Sequence, residues 1–141
     1  MKWQRNRNRG ASLVEFAVLA PLLVTLLLGI AEFGWLYSQQ LDLRHGAREG
    51  ARLAATNAGS GSEIVTWTCD RLDRTAGATF GVRLERTGAI IGSTATVTLQ
   101  SVPAQLTGFF SALMPATLEA SIETRLERSA TWSPTGGFTS C

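Results

Sequence analysis

The feature that most constrains this chain is an uncharged apolar stretch near its N-terminus, with one carboxylate at its start. The stretch runs from Phe16 to Ala31, and Glu15 directly precedes it. A helix needs roughly 20 apolar residues to span a membrane, so the span has to include Ala11–Val14 and places Glu15 in or near the hydrocarbon. Because an ionisable group at that depth costs about 2.5–3.5 kcal/mol on insertion scales, Glu15 is a candidate functional residue.

The charge distribution predicts the orientation of this helix. The first ten residues carry four basic side chains and no acidic one, whereas the remainder carries nine basic and eleven acidic side chains. Basic flanks stay in the cytoplasm, so the C-terminus is expected on the other side of the membrane. The absence of a basic surplus in the body argues against nucleic-acid binding. We predict a basic leader (1–10), a transmembrane helix (11–35) and one extracytoplasmic domain (36–141).

A cleaved secretory signal peptide is the alternative to a retained helix. Gly29-Ile30-Ala31 resembles a small-x-small cleavage site, and a cut after Ala31 would release a soluble exported protein. Glu15 and the length of the apolar run favour retention of the helix. Glu32 lies at the outer boundary of the predicted span, where we expect its carboxylate to be solvated.

Helical periodicity continues beyond the membrane to a predicted end at Ala58-Gly59. One stripe consists mostly of small residues, namely Leu36, Leu43, Ala47, Gly50 and Ala54. Such a stripe allows close approach of either the chain's own domain or a neighbouring subunit. We interpret the charged residues on the other face as a solvated helix surface: Asp42, Arg44, His45, Arg48, Glu49 and Arg52.

A second, shorter helix is predicted after residue 60. Ser60 and Glu63 have the spacing of a capping box, and Gly77 is a candidate C-cap. The inner face of this helix would contain Ile64, Val65, Thr68, Cys69, Leu72 and Ala76.

The apolar period then changes from helical spacing to alternation. Alternating residues predict one strand at 80–84 and another at 95–99. Thr117–Glu127 fits a strand and also helical spacing, and the two preceding strands favour a third strand. The predicted fold class is α+β, with a long N-terminal transmembrane helix, a short second helix and about three antiparallel strands.

The segment between the second and third strands is unusually apolar for a loop. Pro103–Ala116 contains Leu106, Phe109, Phe110, Leu113 and Met114. These side chains either cover the edge of the domain core or form an exposed patch that docks on a partner or on the membrane surface. In the second case an uncleaved single-pass protein could recruit partners through this segment.

The two cysteines are candidates for a disulfide. Cys69 and Cys141 are both predicted to lie outside the cytoplasm, where disulfides persist. The bridge would close a loop of about seventy residues and contribute roughly 4 kcal/mol in the chain-entropy model. The alternative is two unpaired thiols.

No catalytic or metal-binding pattern emerges from the sequence. His45 is the single histidine, the cysteines lack CxxC spacing, and Gly59–Ser62 lacks the lysine of a phosphate-binding loop. We therefore expect no enzymatic activity, no metal and no cofactor.

Residues 9–55 resemble the TadE-like family, the minor pilins or pseudopilins of bacterial tight-adherence (Flp-type) pilus systems. The resemblance rests on Arg9–Ala17, Pro21-Leu22-Leu23, Gly29–Gly34 and Ala47–Arg52. It implies a single-pass protein of the bacterial inner membrane that has a periplasmic pilin-like domain and takes part in pilus assembly, adhesion or surface colonisation. A binding module outside the cytoplasm, unrelated to pili, is the alternative.

The same resemblance implies roles for particular residues. A prepilin peptidase would cut between Gly10 and Ala11, which makes Glu15 the fifth residue of the mature chain. Glu15 and Phe16 would then act in recognition and assembly, with Glu15 pairing with an N-terminal amine. The implied partners are the prepilin peptidase, other pilins and the pilus assembly platform. Phe109, Phe110, Leu113 and Met114 are candidate partner contacts.

Overall fold

The computed structural model describes residues 7–72 and 78–141, with side chains from residue 10 onward. Two helices, a short 3₁₀ turn and four strands occur in the order α1 (Arg7–Ala55), α2 (Gly61–Cys69), β1 (Thr79–Arg86), β2 (Thr94–Val102), the turn (Ser111–Leu113), β3 (Leu118–Arg125) and β4 (Thr139–Ser140). The predicted α+β class is confirmed, and a two-residue strand at the C-terminus adds to the three that were expected.

Helix α1 is continuous from Arg7 into the domain. It passes through Pro21, which lacks the backbone donor of an ordinary helical residue. The helix ends at Ala55, before the predicted end, because Asn57 adopts a left-handed backbone (φ 51°) that cannot continue a helix. The Asn57 carboxamide oxygen accepts a hydrogen bond from the Thr131 backbone N–H at 2.9 Å, which ties the helix end to the C-terminal segment.

The four strands form one antiparallel sheet in the order β3-β2-β1-β4. Strand β3 pairs with β2 along its whole length, from Ser101 opposite Leu118 to Thr94 opposite Arg125. Its burial alternates, with Leu118 and Ala120 inside and their neighbours exposed. The strand assignment for this ambiguous segment is therefore confirmed.

The domain core lies between the sheet and the C-terminal half of α1. The small-residue stripe of α1 packs on its own sheet, since Leu43, Ala47 and Ala54 are fully buried there. Trp132 is also fully buried, and its indole N–H donates to the Ala54 carbonyl at 3.1 Å. Of the two possible roles for the stripe, the structure assigns packing within the chain.

Helix α2 begins with the predicted capping box and ends earlier than expected. The Ser60 hydroxyl accepts from the Glu63 N–H, and the Glu63 carboxylate accepts from the Ser60 N–H. Asp70 is the C-cap, because i→i−3 hydrogen bonds replace the helical pattern at residues 71 and 72. The predicted extension of the helix to Ala76 is therefore wrong; Ala76 and Gly77 themselves lie outside the described residues.

A disulfide joins Cys69 at the end of α2 to Cys141. The Cα atoms are 5.6 Å apart, and the two residues are separated by 72 positions in sequence. Strand β4 pairs with β1 just before the bridge, and the Cys141 N–H donates to the Phe80 carbonyl at 3.0 Å. The predicted bridge is confirmed, and it holds the C-terminal segment against the sheet.

Candidate assembly interface

The N-terminal half of α1 projects from the domain with its side chains exposed. Its most apolar part has no buried residues, and the helix is long and apolar enough to span a membrane. Large apolar side chains cover all sides of it, including Leu13, Val14, Phe16, Val18, Leu19, Leu22, Leu23, Val24, Leu26, Leu27 and Ile30. Because none of these packs in the domain core, this surface is available to lipid or to other protein chains.

The residues implicated in processing and assembly lie together at the start of this free helix. Gly10 and Ala11 are exposed and helical, and no atom lies within 4 Å of a Cβ placed on Gly10. Glu15 and Phe16 are exposed one turn further on. Among the described side chains, from residue 10 to 72 and from 78 to 141, none makes a hydrogen bond or ion pair with the Glu15 carboxylate. If this helix spans a membrane, a lone ionised carboxylate here would be strongly unfavourable, and a positive group from outside the described contacts would compensate it.

Glu32, at the other end of the span, is buried rather than solvated. Its exposed fraction is 1 %. The carboxylate accepts hydrogen bonds from the backbone N–H groups of Leu106 and Thr107, both at 2.9 Å, and from the Thr107 hydroxyl at 2.6 Å. The expectation of a solvated carboxylate is wrong because the segment after β2 folds back onto α1 and brings these donors with it.

Two further side chains of α1 hold the same segment. The Trp35 indole N–H donates to the Ala104 carbonyl at 3.1 Å. The Gln39 carboxamide donates to that carbonyl at 2.9 Å and accepts from the Ala104 N–H at 2.8 Å. Together with Glu32 these residues occupy one face of the helix at spacings of three and four. We call Glu32, Trp35 and Gln39 the loop clamp.

One aromatic side chain of this loop, Phe110, lies against the apolar part of α1. The Phe110 ring packs over Gly29, where an added Cβ would lie 3.5 Å from it, and its centroid is 6.3 Å from that of Phe33. Phe109 meets Phe110 edge-on at 5.0 Å. The expectation that the loop covers the domain core is wrong, because its side chains are absent from the core cluster of the described residues.

The exposed-patch interpretation describes the loop better. Phe109 and Leu113 are 64 % and 69 % exposed, whereas Phe110 and Met114 are half-buried. An apolar groove of about 480 Å³ runs beside Phe110 and is lined otherwise by α1 residues: Leu22, Thr25, Leu26, Gly29, Ile30 and Phe33. The role of the four predicted contact residues in binding a partner stays a prediction.

The charged face of α1 consists of solvated side chains. Arg52 donates to both carboxylate oxygens of Glu49, at 2.8 and 3.1 Å, and this hydrogen-bonded guanidinium lowers the pKa of Glu49. The described residues contain no group of three or more His, Cys, Asp or Glu side chains that could hold a metal ion.

Sequence reasoning missed the loop clamp, and the role it assigned to Glu15 stays a prediction. Glu32 and Thr107 are 75 positions apart, and neither periodicity nor a motif connects them. The available signal was the combination of a carboxylate at a membrane boundary with an uncharged loop containing Thr107-Gly108.

Fold and surface together define a class of protein: a small α+β domain carried on an N-terminal helix that can span a membrane. Residues 10–52 match the family model described as TadE-like protein, which confirms the resemblance over this segment. The match indicates a pilin-like protein associated with a tight-adherence pilus system. No curated protein and no solved structure matches the chain significantly.

Proposed function

We propose that this protein is a minor pilin or pseudopilin that is cleaved by a prepilin peptidase after Gly10 and takes part in assembling a tight-adherence pilus. Residues 11–35 would anchor it in the bacterial inner membrane, with the α+β domain on the periplasmic side. It would act through contacts with other pilins and the assembly platform rather than through catalysis. The resulting pilus would function in adhesion or surface colonisation.

The observation that carries this proposal is the free N-terminal half of α1, on which Glu15 has no partner among the described side chains of residues 10–72 and 78–141. A membrane anchor alone has no need for a carboxylate in its apolar segment, which costs free energy on insertion. Cleavage after Gly10 would create a positive amine at Ala11, four residues before Glu15 and thus one helical turn away. An amine of the same or a neighbouring chain would compensate the carboxylate, so the pairing couples processing to assembly.

The structure also bears on the alternative of a soluble protein cut after Ala31. Such a cut would remove Gly29, on which Phe110 packs, and would leave Glu32 as the terminal residue of a frayed helix. The loop clamp would lose the rigid helix that positions it. These contacts support retention of the whole of α1.

Processing is tested by the mature N-terminus of protein taken from its native membrane, measured by intact mass and N-terminal peptide analysis. A start at Ala11 is expected. In a Gly10→Leu variant the unprocessed form should accumulate, whereas Ser12→Ala, two residues away, should be processed normally. A mature chain that starts at Met1 or Glu32 would contradict prepilin-type processing.

Assembly is tested by Glu15→Ala and Glu15→Gln, since both remove the charge and the second keeps the side-chain shape. Both variants should insert into the membrane normally and reduce the number of pili, counted by electron microscopy. Ser12→Ala serves again as the control within the same exposed helix. Normal piliation in the Glu15 variants would count against an assembly role for this residue.

A further inference from the structure

We propose that the loop tip, residues 106–114, inserts into the acyl-chain region of the extracytoplasmic membrane leaflet beside α1, at a depth set by the Glu32 carboxylate. The protein would then contact the bilayer through two elements, the helix and the loop. The proposal requires that α1 spans a membrane, and it holds whether or not the protein acts in a pilus.

The first argument is the depth of the contacts along α1. Trp35 lies where an aromatic side chain is expected at the membrane–water interface, and it binds the start of the loop at Ala104. From there the loop runs along α1 toward the N-terminus of the helix, as the packing of Phe110 on Gly29 shows. A helix rises 1.5 Å per residue, so Gly29 lies about 9 Å from Trp35 along the axis, on the side of the apolar stretch.

The second argument is the chemistry of the loop surface. No charged residue occurs between Arg86 and Glu119. Leu106, Phe109 and Leu113 are 53–69 % exposed, and they continue the apolar surface formed by the exposed side chains of α1. Apolar patches of this kind mark binding surfaces, and the neighbouring surface of the same helix is the one that faces lipid.

The third argument is that many backbone groups of the loop are hydrogen-bonded within the protein. Irregular backbone at membrane depth is tolerated only where its polar groups are satisfied by the protein. Glu32 and Gln39 accept from the N–H groups of Leu106, Thr107 and Ala104. Further N–H groups at the tip donate to oxygen atoms of the loop itself, namely those of Phe109, Ser111, Leu113 and Met114.

Glu32 fits this role because hydrogen bonds from the loop replace water around its carboxylate. Three donors converge on its carboxylate, two of them from the backbone. Hydrogen bonds of this kind favour the charged form of a carboxylate and reduce the cost of its burial. Glu32 therefore acts as a positioning residue that fixes the loop against the helix, while the apolar side chains of the tip meet the lipid.

The test uses the full chain in nanodiscs that contain phosphatidylglycerol with a diazirine at the end of one acyl chain. After illumination and proteolysis, mass spectrometry locates the lipid adducts. We expect adducts on residues 11–31 of α1 and on residues 106–114. Ile90 and Ile91 are the internal control, because they are 73 % and 65 % exposed but lie near the Ala55 end of the helix, about 39 Å from Gly29 along its axis.

Two variants, each with a matched control, distinguish an effect on loop insertion from a general effect on the protein. Phe109→Asp should lower the ratio of loop to helix adducts by about tenfold or more, given the cost of a charge in lipid, and Ile90→Asp should leave it unchanged. Glu32→Gln should lower the ratio by about fivefold, as expected for a lost buried hydrogen bond. Glu15→Gln should leave it unchanged. Circular dichroism and an intact Cys69–Cys141 bridge verify folding in each case.

Several outcomes would overturn the proposal. Adducts on α1 with no more labelling at 106–114 than at Ile90 and Ile91 would place the loop outside the leaflet. Loss of loop labelling in nanodiscs that hold two copies of the chain, compared with nanodiscs that hold one, would assign the patch to a second copy. Adducts on neither element would refute the membrane span itself. None of these results would alter the mature N-terminus, so the proposed pilin function is tested separately.

Discussion

Gly50 lies where α1 packs against both α2 and the sheet, and replacing it by alanine tests this packing. A Cβ at this position would lie 2.8 Å from the Thr68 hydroxyl oxygen and 3.1 Å from a methyl carbon of Val97. Both neighbours are buried and β-branched, so their side chains have little rotamer freedom. The Thr68 hydroxyl also donates to the Ile64 carbonyl at 2.7 Å and cannot turn away without breaking that hydrogen bond.

Two effects oppose each other in Gly50→Ala. Alanine favours a helix interior over glycine by about 0.8–1.0 kcal/mol. Overpacking of a tight core costs about 1–3 kcal/mol, and the rigidity of Thr68 places this site in the upper part of that range. We therefore expect a net loss of about 1–2 kcal/mol in the free energy of unfolding, which corresponds to a decrease in Tm of at least ~4 °C for a domain of this size.

The assay is thermal and guanidinium unfolding of the full chain in detergent micelles, followed by tryptophan fluorescence. Two glycines of the same helix provide controls. Gly34 has open space around a Cβ, so Gly34→Ala should not destabilise the protein. At Gly46 the closest obstacle is the end of the flexible Leu72 side chain, so Gly46→Ala should cost less than Gly50→Ala. A Gly50→Ala protein as stable as the unmodified chain would refute the packing argument.

Three other changes test the remainder of the domain. Replacing Cys69 and Cys141 together by alanine should lower the free energy of unfolding by roughly 4 kcal/mol in the chain-entropy model, measured by denaturation against the oxidised protein; an unchanged midpoint would contradict it. Ser60→Ala should cost about 1 kcal/mol through loss of the α2 cap, with Ser62→Ala as the neighbouring control. The Ser60 N–H and hydroxyl lower the pKa of Glu63, so its stabilising contribution is present above the unfolded-state pKa of about 4.3 and is lost as the pH falls through the lower folded-state value. Urea midpoints between about pH 6 and pH 3 should therefore fall less steeply for Glu63→Gln than for the unmodified protein; identical slopes would argue against the capping interaction.

Most of the secondary structure of this protein can be predicted from local patterns in its sequence. The apolar stretch after Glu15 requires a helix that can span a membrane, Ser60 and Glu63 mark the start of α2, and alternating residues mark the strands. Each of these signals arises within a few neighbouring residues, where the period of burial or a cap directly reflects backbone geometry. The pairing of Cys69 with Cys141 was also accessible, because the chain contains only two cysteines.

The tertiary structure decided which surfaces the protein uses for itself and which it leaves free. The small-residue stripe fitted either a partner or the chain's own sheet, and only the packing of Ala47 and Gly50 assigns it to the sheet. Glu32 has the sequence context of a solvated boundary residue, yet a loop 74 positions away buries it. That contact depends on the sheet register, which sets where the loop leaves β2, and local residue patterns do not encode such a distance between segments.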